Sequence, residues 1–279
     1  MKKKGAKNRK RIIPGFGISM GITLTLVSVI VLIPLVSLII LASELNLKDF
    51  IDIVTSKEVI SAYKVSLSSA LIAALINSFF GVILAWVLVR YEFLGKRILD
   101  GLIELPFALP TAVAGISLTY LYSDKGWIGR IFDVFGIKIA YTKIGIIMAM
   151  VFIGIPFVVR AIQPVLEKMD NQYEEAASML GASRCRTFLK VILPEIFPSI
   201  LTGFGLAFAR GVGEYGSVIF IAGNIPFKTQ VVPLIIMSKL EQYKYADATA
   251  IALVMLIISF IILLLINVVQ AHASKRKGS

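Results

Sequence analysis

Charge is distributed along this chain so that long apolar windows alternate with short polar stretches. Residues 18–42, 65–89 and 248–272 each run for 25 residues without an acid or a fixed base. Two shorter windows, 105–122 and 144–159, are also free of charge, and both contain proline. A sixth, from 196 to about 222, is interrupted only by Arg210 and Glu214. A helix of about 20 residues crosses a hydrocarbon core of about 30 Å, so each window is a spanning candidate. Helices are the expected form, because lipid offers no partner to unpaired backbone groups. The chain therefore reads as an all-α integral membrane protein with six transmembrane helices. The first window follows a basic start, as a signal peptide would. It exceeds the roughly 7–15 apolar residues of a signal core, and reads as an uncleaved anchor.

Composition agrees: 57% of residues are apolar and 16% charged, far from a soluble domain of this length. The formal charge of +12 raises the question of nucleic acid. Seven Lys/Arg fall within residues 1–11 and three within 275–277, leaving 19 basic against 17 acidic residues. An excess confined to tails beside apolar segments fits cytoplasmic retention and contact with anionic membrane lipids, and argues against a nucleic-acid partner. With the N-terminus inside, segments 1–17, 90–101, 160–195 and 273–279 hold 18 Lys/Arg. The opposite side holds 9, with Lys64 and Arg210 assigned to helices. The bias predicts both termini, and the 160–195 loop, in the cytoplasm. A single cysteine, Cys185, excludes an intramolecular disulfide, and a single histidine, His272, leaves no zinc cluster. No nucleophile–base set suggests an enzyme.

The 160–195 loop is the one long soluble-looking stretch. Tyr173 to Leu180 holds good helix formers without proline or glycine, with Asp170 and Asn171 as candidate caps. Gly181 suits a left-handed stop. Ser183 to Ile192 reads as a second helical stretch ending at Leu193-Pro194. Ala177 and Gly181, four apart, flatten one face of the short helix, so another protein's groove can approach the backbone. Glu175 favours the helix dipole and is placed to reach a partner's Arg or Lys. The alternative is an ordinary amphipathic surface helix with a glycine cap.

On Glu175, Ala176, Ala177, Gly181, Val191, Leu193 and Pro194, the chain resembles the permease subunits of ABC importers that work with binding proteins. Valine stands where isoleucine is more usual. The resemblance implies a type I permease fold in which this loop is a coupling helix held in a cleft of a separate ATPase subunit. The chain has no Gly-x-x-x-x-Gly-Lys-Ser/Thr, so ATP and Mg would be bound by that partner, and no cofactor by this chain. The implied organisation is a basic tail (1–17), a six-helix permease domain (18–272) containing the coupling loop 160–195, and a second basic tail (273–279). The implied location is the cytoplasmic membrane.

Further segments narrow the resemblance. Leu105-Pro106-Phe107-Ala108-Leu109-Pro110-Thr111-Ala112-Val113-Ala114-Gly115 and Ala207-Phe208-Ala209-Arg210-Gly211-Val212-Gly213-Glu214-Tyr215-Gly216-Ser217 resemble sulfate-type permeases. The stretches 221–226 and 239–243 are similar to the sulfate/thiosulfate permease of the T type. The implied partners are two ATPase subunits, a second homologous permease forming a heterodimer, and an external sulfate-binding protein. Molybdate or tungstate transport is the alternative within the family, since the Arg-x-x-Gly-Glu-aromatic-Gly core is shared. An ATP-independent channel or secondary anion carrier is the alternative outside it.

Arg210 lies about 21 Å along a helix begun at Ile196, near mid-membrane. A charge at the bilayer centre costs about 2.5–3.5 kcal/mol, so lipid exposure is disfavoured. Arg210 and Glu214, four apart, are placed to pair on one face. They read either as part of the anion pathway or as an ion pair that fixes the helix. The small-residue stripes Gly203/Ala207/Gly211 and Ala209/Gly213/Ser217 suit a permease–permease interface. Pro106, Pro110 and Pro156 are expected to kink their helices, and Asn77 to hydrogen-bond between helices. The run 231–240 is too short to span, and reads as re-entrant or interfacial.

Overall fold

The computed structural model describes residues 16–170 and 172–275. Most of the 1–17 tail, Asn171 and the end of the second tail lie outside the described residues. The described residues form helices and no strand. We number them α1 (Phe16–Ala42), α2 (Leu47–Val54), α3 (Lys57–Arg90), α4 (Lys96–Ala108), α5 (Thr111–Tyr122) and α6 (Trp127–Asp133). There follow α7 (Lys143–Lys168), α8 (Gln172–Met179), α9 (Arg184–Val212), α10 (Val218–Ile221), α11 (Val232–Glu241) and α12 (Tyr245–Lys275). Five of them, α1, α3, α7, α9 and α12, are long and apolar enough to cross a membrane.

Local chemistry sets these boundaries. Ser56 caps α3 by accepting from the Val59 amide, Glu58 sits in its first turn and Arg90 in its last, complementing both ends of the dipole. Thr142 caps α7 through the Ile144 amide. α1 and α9 each contain one π-turn, at Ser28–Leu32 and Phe188–Ile192, two residues before Pro34 and Pro194 respectively. Proline lacks an amide hydrogen and its ring crowds the carbonyl four residues back, and a widened turn relieves both. The helix starting at Arg184 therefore does not stop at Leu193-Pro194, where the sequence was expected to end it. It runs on as a spanning helix, beginning well before Ile196.

The third window is also different. It is not one kinked span of 105–122 but two helices, α4 and α5, bent by 113° at Leu109-Pro110. Leu109 is extended (φ −85°, ψ 133°), as the residue before a proline prefers to be. α7, by contrast, continues through Pro156 and Pro164.

Three helices form the centre. A Cβ built on Gly81 of α3 would lie 2.6 Å from Val158 Cγ1 of α7, and one on Gly203 of α9 would lie 2.7 Å from Val158 Cα. At another level Gly211 of α9 meets Ala70 of α3 and Met150 of α7. Residue numbers rise together along α3 and α7 and fall along α9. α3 and α7 thus run parallel, and α9 antiparallel to both. The α4–α5 pair must return the chain between α3 and α7, so the bent pair counts as a crossing and the total is six. α12 runs antiparallel to α9, with Gln270 donating to Thr202 Oγ1 at 2.7 Å.

The stripe Gly203/Ala207/Gly211, expected at an interface between permeases, is spent inside the chain on α3 and α7. The second stripe does not exist as a helix face, because α9 ends at Val212, before Ser217. Asn77 is fully buried with its amide against Gly154, and makes no hydrogen bond to another described residue. Its role is packing. α11, in the run read as re-entrant or interfacial, buries Val232, Leu234 and Ile235 and packs on α3 and α12.

Gly203→Ala is expected to destabilise the protein by about 1–3 kcal/mol, since the new methyl meets backbone that cannot turn aside. Gly101→Ala, in open space on α4, serves as the control. Thermal midpoints in detergent should fall for the first and hold or rise for the second.

Candidate functional site

α8 stands at one end of the bundle, and its own sequence delimits it. Asp170 Oδ1 accepts from the Gln172 amide at 3.1 Å, so one of the two proposed caps is in place. At the far end the Gly181 amide donates to Ser178 O (2.9 Å) and the Ala182 amide to Ala177 O (3.0 Å). These paired bonds are a Schellman stop, and Gly181 at φ +76° takes the left-handed conformation that glycine adopts without strain. The residues just before it project outward: Met179 is 89% and Leu180 88% exposed. They place two adjacent large apolar side chains on the exposed side of the helix stop. The sequence reading passed over both, although two consecutive apolar residues before a glycine stop were visible.

The motif residues do not lie together. Glu175 and Ala176 are exposed on α8, and Ala177 is half-buried. Val191 belongs to the π-turn of α9 and shares a groove with Tyr173. Leu193 and Pro194 begin the regular part of the spanning helix. The motif therefore joins an exposed helix to the root of a membrane helix.

Arg90 makes that junction rigid, and nothing in the sequence singled it out. Its Nε lies 3.0 Å from Glu174 Oε1 on α8, and its Nη2 donates to Met169 O at the end of α7 at 3.2 Å. The guanidinium sits 5.7 Å from the Trp86 ring centroid. Trp86 meets Phe188 of α9 edge-on at 5.4 Å. One side chain thus ties α3, α7 and α8, and its aromatic neighbour reaches α9. Of the two glutamates, Glu174 is used internally, which leaves Glu175 exposed. Together these groups line a cavity of about 740 Å³.

A second polar cluster lies beyond the end of α9. Glu214 is 1% exposed, pairs with Arg210, and accepts from the Ser217 amide (2.8 Å) and hydroxyl (3.0 Å). The sequence placed both charges on one helix. The pair forms, but Glu214 stands in the turn that follows Gly213, where it holds that turn closed. Arg210 stays about one-third exposed, with Glu214 as its only hydrogen-bond partner among the described residues. This turn packs on the α4–α5 elbow: a Cβ on Gly115 would lie 2.6 Å from Ser217 Cα, and one on Gly216 2.1 Å from Thr111 Oγ1. The segments 105–115 and 207–217, far apart in sequence, are therefore in contact. Arg160 of α7 fastens the other side of α4, reaching Asp100 and Glu104, each at 2.7 Å.

Six candidate crossings, with a short exposed helix tied to the end of the bundle, make this an all-helical membrane component. The chain belongs to the family of binding-protein-dependent transport system inner membrane components, whose model matches residues 77–279. It is 46% identical over 271 residues to the "Sulfate transport system permease protein CysT" of Salmonella typhimurium, covering 97% of this chain and 98% of that one. It is 52% identical over 250 residues to the "Probable sulfate transport system permease protein cysT" of Chlorokybus atmophyticus, covering 90% and 87%. The fold is similar to that in the crystal structure of a bacterial ABC transporter involved in the import of alginate. The TM-score is 0.76 at 16% identity, over 92% of this chain and 96% of that one.

Arg90→Ala removes a partly buried ion pair and a carbonyl bond, together worth about 1.5–3 kcal/mol. Amide hydrogen exchange across 172–179 is expected to quicken by about tenfold or more, with exchange in the middle of α7 unchanged.

Proposed function

We propose that this chain is the membrane-spanning permease subunit of an ATP-driven importer of sulfate, with thiosulfate as a further cargo. Its similarity to sulfate permeases along nearly the whole length of both chains carries this reading. In this reading both termini and the 160–195 loop face the cytoplasm. The partners are two ATPase subunits that hold ATP and Mg, a second homologous permease, and an external sulfate-binding protein. This chain performs no bond chemistry; it converts movement of α8 into movement of its spanning helices.

The geometry suggests how. Met179, Leu180 and the exposed Glu175 and Ala176 form the surface offered to the ATPase. Because Arg90 ties Glu174 to α3 and to the end of α7, a displacement of α8 is passed to the parallel pair at the centre of the bundle. Arg210 is the group we assign to the anion pathway, since one carboxylate satisfies only part of a guanidinium's five donors. Glu214 is assigned to structure, holding the turn against the elbow.

Labelled sulfate should enter vesicles that carry the reconstituted complex only when ATP is supplied, and thiosulfate should compete better than molybdate. Absence of sulfate uptake would overturn the cargo assignment and leave the family untouched. Glu175→Lys and Gly181→Trp are each expected to bring uptake to background by weakening ATPase association. The second also forces a bulky residue into a left-handed backbone. Unchanged uptake and association in both variants would refute the coupling role.

A further inference from the structure

At the end of the bundle opposite α8, a crevice of about 500 Å³ opens among α3, α7, α9 and α12. Lys64 and Lys143 stand on its rim, and Leu71, Phe208 and Ile262 line its depth. Among the described residues no acidic side chain lines it, and neither lysine side chain has an ion-pair or hydrogen-bond partner. The two serines on the rim are already engaged, Ser61 donating to Phe227 O and Ser68 to Lys64 O. The ammonium groups are therefore the strong donors left facing the opening. Lys143 is also the first residue of α7, so the positive end of that helix adds to the same potential.

Depth decides what fits. The charge-free window of α3 is centred on Asn77, which packs on Gly154 of α7 at the heart of the bundle. Lys64 lies 13 residues from Asn77 in sequence, which at 1.5 Å per residue is about 20 Å along the helix. That is the level of phospholipid headgroups, at about half of a 40–45 Å bilayer. Leu71 lies about 9 Å from the same reference, among acyl chains. A hydrated oxyanion satisfies the rim but gains nothing from an apolar floor that strips its water. A zwitterionic headgroup sets its own cation against the lysines.

We propose that this crevice binds one anionic phospholipid, its phosphate on Lys64 and Lys143 and an acyl chain over Leu71, Ile262 and the edge of Phe208. The bound lipid bridges the start of α3 to the start of α7, and so braces the end of the bundle that Arg90 does not reach. The assignment is independent of the cargo.

The test uses the full chain, purified with its accompanying subunits in a neutral detergent and titrated with phosphatidylglycerol or phosphatidylcholine. The thermal midpoint and the lipid retained in native mass spectrometry are recorded. Phosphatidylglycerol should raise the midpoint saturably and phosphatidylcholine should not. Lys64→Gln is expected to weaken the response about fivefold, and Lys64→Gln with Lys143→Gln about 25-fold, with the lipid-free midpoint unchanged. Should the double glutamine variant fail to fold, a second pair decides. Lys64→Arg with Lys143→Arg should keep the response, and Leu71→Trp should lose it by filling the acyl lane. An equal response to both lipids, or one indifferent to all of these changes, overturns the proposal. So does a lysine-dependent shift with millimolar sulfate that displaces the lipid, which would give the crevice to the transported anion.

Discussion

In a bilayer, helices gain little by hiding apolar surface from one another, so their association rests on how closely their atoms pack. In this protein that constraint falls on α3, α7 and α9. Gly81, Gly203 and Gly211 remove the side chains that would hold the three backbones apart, and Val158 fills the space two of them leave. The polar features are placed by this contact. Arg90 reaches the end of α7 because α3 and α7 run parallel and in register. Glu214 is buried because α9 stops where it meets the elbow between α4 and α5. Asn77, an amide without a hydrogen-bond partner among the described residues, occupies the hollow left by Gly154.

The coupling role proposed for α8 demands two properties that usually conflict. It must be exposed enough to be grasped and anchored firmly enough to transmit force. α8 meets both by dividing its faces. Met179, Leu180 and Glu175 look outward, while Glu174 turns back to Arg90. The anchor is a charge-assisted contact backed by the Trp86–Phe188 pair, largely shielded from water, so it is screened less than a surface ion pair. Its partners lie on helices that pack closely on one another. In the proposed role, a pull on the short helix would act on the core and not on a loose loop.

Prolines shaped what the apolar pattern left undefined. Pro34 and Pro194 are each preceded by a π-turn and leave the helix continuous, whereas Pro110 breaks its window into two helices bent by 113°. The difference lies in the surroundings. Pro194 sits where α8 and α9 meet near the end of the bundle, and an extra residue per turn is absorbed there. Pro110 stands where Thr111 and Gly115 abut the turn at Gly216 and Ser217, and that contact holds the bend. Residue spacing alone does not separate these cases, since in each a proline stands within or beside an apolar run. The small-residue stripe on α9 carried a similar ambiguity. A smooth face fits any close neighbour, and only the packed structure shows that the neighbour is in the same chain.

The sequence by itself determined the number of apolar crossings, the helical class, the limits of α8 and the left-handed glycine that stops it. These are consequences of hydrophobic run length, capping chemistry and a missing Cβ, all local in sequence. It also marked Arg210 and Glu214 as unusual, because charge inside an apolar run is costly whatever surrounds it. The tertiary structure decided which glutamate is held and which is free, that Arg90 is the tie, that the two segments flanking the elbow and the α9 turn meet, and that two distant lysines share one crevice. Each of these depends on the direction and register of helices separated by tens of residues. Close packing between backbones sets that direction and register, and it is not written in any single window of the chain.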